Sequence, residues 1–360
     1  MKVVFICSTL ERTGPTNQLL NIIKNLKSTI DFKLITLSKE PNASLKSSFI
    51  EQGVNVTCAN INDLKFIQSL RLVKYLVDEE NPDIVHSQGI RADVFSSILF
   101  KNNLSTLRNY PFEDYPPLYG KLKGNIMASV HLLSLFFIKK LVTVSNSTKN
   151  KNEVVPWLKF DTIYNGVDIN KFSLSASDKV NKIKQKYSVK SDKKTLIYTG
   201  PLIERKNVSA LIDSVKGNKD VQLLIVGDGP LMHELKQLSS IGDIIFVGAV
   251  DNVNDFLSIA DCYVMLSKSE GFPNSVMEAL SVGLPCILSN IPSHQDVHRI
   301  IGDSVKLCET DESFHDFLDS ELDLFLKSKN KNNIRESAIK KISSDVMAEK
   351  YYSIYKEIIK

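Results

Sequence analysis

Two glutamates, Glu270 and Glu278, lie eight residues apart in the stretch "SEGFPNSVMEALSVGLP" (residues 269–285). The stretch follows an apolar run, and Pro273 and Asn274 are residue types typical of the start of a helix. Glu270 is therefore expected in a loop after a strand, with Glu278 about one turn inside the helix. The two carboxylates could then accept hydrogen bonds from hydroxyl groups at different ends of one ligand.

The predicted start of this helix is a candidate anion site. The N–H groups of Asn274, Ser275 and Val276 would lack helical partners at the positive end of the helix dipole, which suits a phosphate. A nucleoside-diphosphate sugar has hydroxyl pairs at both ends and phosphate in the middle, and therefore fits the pattern. Glutamates at this spacing are common by chance, so the spacing gains weight only from its strand-to-helix context.

A pair of cations, Arg205 and Lys206 in "GPLIERKN", follows another predicted strand. Such a pair can clamp a diphosphate and stabilise its charge as it leaves; the alternative is a solvated charged turn. The glycines of "VGDGPL", Gly227 and Gly229, are expected to serve only a tight turn.

Continuous apolar strands alternate with amphipathic helices along the whole chain, a pattern typical of buried parallel sheets. The predicted strands are "KVVFICS", "FKLITLS", "VNVTCA", "DIVHSQ", "STLRN" and "LVTVSN", then "TLIYTG", "VQLLIVGD", "IIFVGAV", "CYVMLS", "PCILSN" and "VKLCE". The fold class is therefore α/β, with two doubly wound, Rossmann-like domains. Because ligands of open α/β sheets bind beyond the carboxyl ends of the strands, the ligand site is expected in a cleft between the two domains.

The domain boundary is placed in a polar, Lys- and Ser-rich passage that starts at Asp161 and contains the turn signal Asn165-Gly166. The predicted domains are residues 1–165 and 166–343. The final helix, residues 344–360, either packs on a domain surface or crosses back to the first domain.

The amino-acid composition indicates which classes of protein are compatible with this chain. The chain has 360 residues, 43% of them hydrophobic, and a net charge of +4, as expected for a globular protein with two domains. Five scattered cysteines without metal-ligand spacing favour a reducing, cytoplasmic compartment. The small net charge and the lack of a binding motif argue against nucleic acid. No apolar run reaches a membrane-spanning length.

The segment "EGFPNSVMEALSVGLPCILSN" resembles the donor-site signature of retaining glycosyltransferases of family 4, which have the GT-B fold and use nucleotide-diphosphate sugars. The resemblance extends through "YTGPLIERKN", "LLIVGDGPL", "FVGAVDNV" and "ADCYVMLS", and more loosely through "VTVSNSTKN" and "IYNGVDINKF". It therefore covers nearly the whole second domain and parts of the first.

The resemblance implies a role for each matching residue. Glu270 would contact the sugar hydroxyls as a catalytic residue together with Arg205 and Lys206, and Glu278 would bind the ribose. The main chain from Gly248 to Val250 would meet the base. The other donor contacts that it implies are Phe272, Pro273, Asn274, Ser275 and Val276, together with Gly14 in the first domain.

The first domain carries weaker signals. The single Gly14 after the first strand does not complete a G-x-G-x-x-G turn, so a dehydrogenase is disfavoured. His86, at the end of a strand, is either a core residue or an acceptor contact, and Arg91 early in the next helix is a second acceptor candidate. Arg108 stands where many relatives have a histidine, in what is predicted to be a long loop with four aromatic residues and three prolines.

A basic, apolar stretch follows this loop. It combines Lys121, Lys123, Lys139 and Lys140 with Phe136 and Phe137. Such a helix suits the headgroup surface of an anionic membrane, which would bring the enzyme to a lipid-linked acceptor. The alternative is a core helix with lysines at its ends.

The sequence thus predicts a retaining glycosyltransferase that moves a hexose or N-acetylhexosamine from a nucleotide-diphosphate sugar, UDP-linked by expectation, to a saccharide acceptor. Neither a metal nor another cofactor is expected, because the sequence has no Asp-x-Asp motif. Surface-polysaccharide synthesis in the cytoplasm, at the inner face of the membrane, is the expected setting. The alternatives are a nucleotide-sugar epimerase of the same fold and a catalytically silent nucleotide-sugar-binding module.

Overall fold

The computed structural model describes residues 1–153, 155–239 and 243–360. The chain divides into two compact units. The first unit is Met1–Gly166 together with Ser344–Lys360, and the second unit is Val167–Ser343. In each unit the strands form one parallel sheet with helices between them.

The first unit contains a sheet of seven strands in the order β3-β2-β1-β4-β5-β6-β7. Its elements are β1 (Lys2–Cys7), α1 (Gly14–Leu26), β2 (Asp31–Thr36), α2 (Lys46–Glu51), β3 (Asn55–Cys58), α3 (Phe66–Glu80), β4 (Ile84–Ser87), α4 (Ile90–Leu99), β5 (Asn103–Leu107), α5 (Pro111–Tyr119), α6 (Lys121–Leu135), β6 (Lys140–Thr143), α7 (Asn146–Asn152), β7 (Phe160–Thr162) and α17 (Ser344–Ile359).

The central strand β1 shows why this unit needs helices on both faces. Val3 and Phe5 pack in one hydrophobic cluster with residues of α1 and α17, whereas Val4 and Ile6 pack in another with residues of α3 and α4. Successive side chains of a strand point to opposite faces, so an apolar strand that is buried throughout must be covered twice. Helix α17 supplies part of one cover, since it contacts α1 and buries Tyr351 and Tyr355.

The second unit contains a sheet of six strands in the order β10-β9-β8-β11-β12-β13. Its elements are α8 (Ser177–Lys186), β8 (Lys194–Thr199), a 3-10 turn (Glu204–Lys206), α9 (Val208–Val215), β9 (Val221–Val226), α10 (Met232–Leu238), β10 (Ile244–Gly248), α11 (Val253–Ile259), β11 (Cys262–Met265), α12 (Asn274–Val282), β12 (Cys286–Ser289), α13 (Pro292–Ile301), β13 (Val305–Cys308), α14 (Asp311–Ser320), α15 (Leu322–Lys327) and α16 (Lys331–Ile342).

The predicted α/β class with parallel sheets is confirmed. In the passage where the domain boundary was expected, β7 adds an edge strand to the first sheet and α8 packs on α11. One local prediction was wrong: the predicted loop after Arg108 is helix α5. Pro111 sits in the first turn of α5, where its missing N–H costs no hydrogen bond.

Helices α5 and α6 pack closely as a helical hairpin within the first unit. Gly124 makes the approach feasible: a Cβ atom at this position would lie 2.5 Å from the Cα of Pro116. No helix within the described part of the chain is both long and apolar enough to cross a membrane.

Candidate functional site

The second sheet brings three of the predicted site residues together. Strands β8 and β11 are neighbours, so the loops after their carboxyl ends meet at one edge of the sheet. The Lys206 Nζ atom lies 2.7 Å from Glu270 Oε1, and Arg205 Nη1 lies 3.2 Å from Glu270 Oε2. One carboxylate therefore bridges both cations of the predicted phosphate clamp.

The two cations differ in how far their side chains are buried. The side chains of Lys206 and Glu270 are 9% and 8% exposed, whereas Arg205 is 45% exposed. Burial by itself would raise the pKa of Glu270, but the attraction of Lys206 and Arg205 overcomes it and lowers the pKa below its usual value. Glu270 is thus an ionised hydrogen-bond acceptor at neutral pH, and Arg205 is the cation more open to a ligand.

The two loops around this cluster are tied by hydrogen bonds. The Lys268 N–H donates to the Arg205 carbonyl at 2.9 Å, and the guanidinium of Arg205 donates to the carbonyl of Ser269. The Tyr263 hydroxyl is shared between the Thr199 carbonyl at 3.2 Å and the Ser275 hydroxyl at 2.8 Å. The first turn of α12 is thereby fixed to the end of β8.

Helix α12 has the geometry expected of an anion site at its start. Its N-cap is Pro273, which makes no side-chain capping bond, and Met277 donates the first bond to the Pro273 carbonyl. The N–H groups of the first turn, from Asn274 to Val276, precede that bond and point out of the helix start. The helix stops at Gly283, whose φ of +91° is a conformation that favours glycine.

Glu278 occupies the second turn of α12 and is partly buried. Burial raises the pKa of its carboxyl to about 7, against the opposing attraction of Lys171. Arg335 of α16 positions the segment that carries Lys171, because it donates to the Phe172 carbonyl at 2.7 Å and also to the Ser281 carbonyl of α12. Glu278 can therefore change protonation state near neutral pH.

The glycines of "VGDGPL" allow the loop after β9 to pack closely against the loop after β8. A Cβ atom at Gly227 would lie 1.9 Å from the Gly200 carbonyl oxygen, and one at Gly229 would lie 2.5 Å from the Leu202 carbonyl oxygen. The Gly227 N–H also donates to the Gly248 carbonyl at 2.9 Å. Gly248, with φ of +84°, ends β10 and begins the backbone that leads to Val250.

A histidine that the sequence reasoning missed lies close to the same cluster. His294 is fully buried at the start of α13, and its Nδ1 lies 2.8 Å from the Ser289 carbonyl, so this nitrogen donates. Its Nε2 atom has no hydrogen-bond partner among the described residues. Burial lowers the pKa of His294 to about 4, and Glu270 and Lys206 both act on it electrostatically. A neutral imidazole with an available acceptor nitrogen therefore adjoins the buried ion pair.

In the first unit, the contacts of His86 are those of a residue in the protein core. It is 2% exposed, and its ring nitrogens lie 2.8 Å from the hydroxyls of Thr106 and Tyr355. Burial lowers its pKa well below the usual value, and Arg108 adds to the effect. These contacts favour the core alternative, and a role in acceptor binding stays a prediction without support from this geometry.

Arg108 and Arg91 are both engaged in hydrogen bonds between loops. Arg108 donates to Gln88 at 3.1 Å and to Asn165 at 3.0 Å, while Arg91 donates to Ser38 at 2.7 Å. Gly14 begins helix α1, after Thr13. Arg108 thus links the end of β5 to neighbouring loops of the first unit.

No three or more His, Cys, Asp or Glu side chains are grouped to hold a metal ion in residues 1–153, 155–239 and 243–360. Metal-independent chemistry remains an expectation from the sequence.

Comparison with known proteins places this site in a family. Residues 179–341 match the family model described as glycosyl transferases group 1. The match covers most of the second unit, Val167–Ser343, and the chain is a glycosyltransferase. The family resemblance stated from the sequence is thereby confirmed, and the epimerase and silent-module alternatives are not favoured.

Curated relatives extend the similarity into the first unit. An O-antigen biosynthesis glycosyltransferase, WclY of Escherichia coli, is 26% identical over 302 residues, which cover 81% of each chain. An E. coli UDP-Gal:alpha-D-GlcNAc-diphosphoundecaprenol alpha-1,3-galactosyltransferase is 28% identical over 262 residues, covering 66% of this chain and 65% of the relative.

A solved structure has the same fold. The crystal structure of Anabaena Alr3699/HepE in complex with UDP aligns with a TM-score of 0.82, at 15% identity, over 99% of this chain and 100% of that one. The glycosyltransferase therefore has the GT-B fold, as predicted, with two Rossmann-like parallel-sheet units.

Proposed function

We propose that this glycosyltransferase moves a hexose or N-acetylhexosamine from a UDP-sugar to a lipid-linked saccharide, with retention of anomeric configuration, in surface-polysaccharide synthesis. The observation that carries the proposal is the cluster of Arg205, Lys206 and Glu270 beside the start of α12. It provides ionised hydrogen-bond acceptors, cations and helical N–H groups at one edge of the second sheet. The names of the E. coli relatives support the acceptor class and the pathway.

The donor would lie along that edge. Glu278 would accept hydrogen bonds from the ribose hydroxyls, and Glu270 from the hydroxyls of the transferred sugar. Backbone groups from Gly248 to Val250 would meet the base. The diphosphate would lie between them, at the first turn of α12 and next to Arg205, because both carry positive charge there.

The chemistry is substitution at the anomeric carbon, in which the acceptor attacks from the same face as the one from which the diphosphate departs. The bond from C1 to the diphosphate oxygen breaks, and the diphosphate leaves with the electron pair. The acceptor oxygen bonds to C1 on the same face, and the proton of the acceptor hydroxyl passes to the departing diphosphate. Arg205, Lys206 and the α12 N–H groups would stabilise the charge that develops on the diphosphate. The positive charge that would stabilise the diphosphate comes from these protein groups, so the proposal assigns no role to a metal.

A membrane-facing surface would bring the enzyme to a lipid-linked acceptor. Helix α6 exposes an apolar stripe that continues beyond its end: Leu122 (79% exposed), Ile126 (56%), Val130 (46%), Leu133 (67%) and Phe137 (63%). The spacing of three or four residues puts them on one side of the helix, flanked by the exposed Lys121 and Lys123. We name these seven residues the α6 surface.

The occupant that fits the α6 surface is an anionic lipid headgroup layer at the cytoplasmic face of the membrane. Apolar side chains would enter the acyl boundary while lysines contact lipid phosphates. The two lysines at the other end of the basic stretch do not share this role. Lys140 pairs with Asp161 and Glu357 at 2.8 and 3.0 Å, and Lys139 donates to the Ile358 carbonyl at 2.7 Å.

The test is transfer itself. The protein is incubated with UDP-galactose, UDP-glucose or UDP-N-acetylglucosamine and lipid-linked saccharides extracted from the source organism, and the product's anomeric proton is read by NMR. A product with the donor's α configuration supports the proposal, and a β product contradicts retention. An isomerised donor in the absence of acceptor would instead support the epimerase. Nucleotide binding without any transfer would support the silent module.

A further inference from the structure

The loop after β11 carries Glu270 and is held by the loops on both sides of it. In the second sheet, β11 lies between β8 and β12. On the β8 side, the Lys268 N–H donates to the Arg205 carbonyl at 2.9 Å. On the β12 side, the Ser289 hydroxyl donates to the Ser267 carbonyl at 2.7 Å. The position of Glu270 therefore depends on what holds these two neighbouring loops.

His294 holds Ser289 in this arrangement. It is the third residue of α13, and its side chain is fully buried. Its Nδ1 atom lies 2.8 Å from the Ser289 carbonyl oxygen and 3.2 Å from the Ser289 hydroxyl oxygen. Because a carbonyl only accepts, Nδ1 carries the proton and donates it to Ser289. The imidazole therefore fixes the residue whose hydroxyl bonds to the loop of Glu270.

The segment that carries His294 is itself anchored to the next strand, β13. The Asn290 N–H donates to the Cys308 carbonyl at 2.8 Å, and the Asn290 side-chain amide donates to Glu309 at 2.6 Å. The side chain of Gln295 donates to the Asn290 side chain at 2.8 Å. His294 thus projects from a segment that has its own bonds to the end of β13.

His294 lies near the buried ion pair but is closed off from a ligand. Glu270 and Lys206 both act electrostatically on the imidazole. The side chain is nevertheless 0% exposed, and Nδ1 is occupied by Ser289. Its Nε2 atom is also buried and has no hydrogen-bond partner among the described residues. A group enclosed in this way can position a neighbouring side chain, but it does not contact the donor itself.

We propose that His294 is a positioning residue: by holding Ser289, it fixes the loop in which Glu270 accepts hydrogen bonds from the hydroxyls of the transferred sugar. This role rests on the proposed function, in which Glu270 contacts the sugar while Glu278 and Arg205 contact the nucleoside diphosphate. A carboxylate that recognises a sugar has to be held within about 0.5 Å of its productive position. His294 therefore contributes to the binding of the sugar and not to that of UDP.

The test compares the affinity for UDP with that for UDP-glucose, UDP-galactose and UDP-N-acetylglucosamine, measured by isothermal titration calorimetry. His294→Leu removes the donor to Ser289 and keeps a buried apolar side chain. Its dissociation constant for the UDP-sugar that the wild type binds most tightly should rise about tenfold, with that for UDP unchanged. The matched control is His298→Leu, because His298 in the same helix bonds to the Val305 carbonyl at 2.8 Å. It should bind both ligands as the wild type does.

Three further variants identify the atom and the link. In His294→Asn, the amide nitrogen is as many bonds from Cα as Nδ1 is, so it can donate to Ser289 and should restore most of the affinity for the UDP-sugar. Ser289→Ala removes the hydroxyl that bonds to Ser267 while leaving the buried imidazole in place, and should raise the same dissociation constant. Glu270→Gln should weaken binding of the UDP-sugar, and adding His294→Leu to it should cause no further loss, because both changes act through one carboxylate.

Wild-type affinity for the UDP-sugar in His294→Leu or in Ser289→Ala would overturn the proposal. Equal losses for UDP and the UDP-sugar would overturn it too, because general loosening of the unit weakens both, as would a similar loss in His298→Leu. No recovery in His294→Asn would refute Nδ1 as the positioning group. If the wild type binds neither UDP nor any UDP-sugar, the proposed function itself fails. That outcome differs from a wild type that binds them and variants that bind them equally well.

Discussion

Lys206 Nζ lies 2.7 Å from Glu270 Oε1, and each of these side chains is less than one-tenth exposed. The carboxylate has a second partner in Arg205, whereas the ion-pair partner of Lys206 among the described residues is Glu270. The cluster therefore carries a net positive charge next to the start of α12, which is the charge that a diphosphate requires. Lys206 and Glu270 should also respond unequally to mutation.

Removing Glu270 should cost more stability than removing Lys206. Glu270→Gln leaves Lys206 buried and repelled by Arg205, and should lower the free energy of unfolding by about 3–5 kcal/mol. Lys206→Met leaves Glu270 paired with Arg205, so this variant should lose less free energy of unfolding than Glu270→Gln. The double variant should recover part of the stability that Glu270→Gln loses. Urea denaturation measures all three. Glu204→Gln, which breaks the exposed pair with Lys268, is the control and should change little. Equal losses in the two single variants would contradict this account.

Arg205 should contribute to turnover more than to stability, because its side chain is 45% exposed. Arg205→Ala should lower kcat about a hundredfold by removing positive charge from the departing diphosphate. Lys268→Ala removes a lysine two residues from Glu270 and serves as the control. Steady-state rates with a saturating UDP-sugar decide the question: an unchanged kcat in both Arg205→Ala and Lys206→Ala would refute the clamp.

Glu278 should make the stability of the protein fall as pH rises. Its folded pKa, about 7, lies above the ordinary value of about 4.3, so the folded state binds more protons between these values and loses stability across that window. Glu278→Gln should therefore be more stable than the wild type at pH 8, by up to about 3.7 kcal/mol, and similar to it at pH 4. Urea denaturation at both pH values checks this, with the exposed Glu234→Gln as control. A difference independent of pH would contradict the burial of an ionisable Glu278.

The α6 surface should bind anionic vesicles. Replacing Leu133 and Phe137 by Glu should weaken co-sedimentation with vesicles containing phosphatidylglycerol tenfold or more, since two apolar side chains lose their burial and two negative charges are added. Ile67→Glu changes a side chain that is 63% exposed on α3 and should leave binding unchanged. Binding should also weaken in high salt. Equal binding by all variants would exclude this surface as the membrane contact.

Much of the fold was predictable because buried parallel strands are continuous apolar runs, as in "VQLLIV". Strand β7 was not, since Phe160–Thr162 is short and has two polar residues out of three. Helix α5 was hidden by Pro116 and Pro117, which normally argue against a helix interior.

The donor edge was predictable in outline from its motifs, but its ion pair was not. Lys206 and Glu270 are 64 residues apart, and only the adjacency of β8 and β11 brings them together. The link from His294 through Ser289 to Ser267 likewise depends on the adjacency of β11 and β12. A lone histidine near the start of a helix carries no such signal.

The measurement that tests the central claim most directly is a thermal-shift titration with UDP, GDP and ADP on the wild type and Glu278→Ala. We expect a rise in melting temperature that is selective for UDP and smaller in the variant, because Glu278 would hold the ribose. At ~100 times the dissociation constant, UDP should add ~2.7 kcal/mol, which amounts to several degrees for a unit of this size. No shift with any nucleotide would contradict the donor site in the second unit.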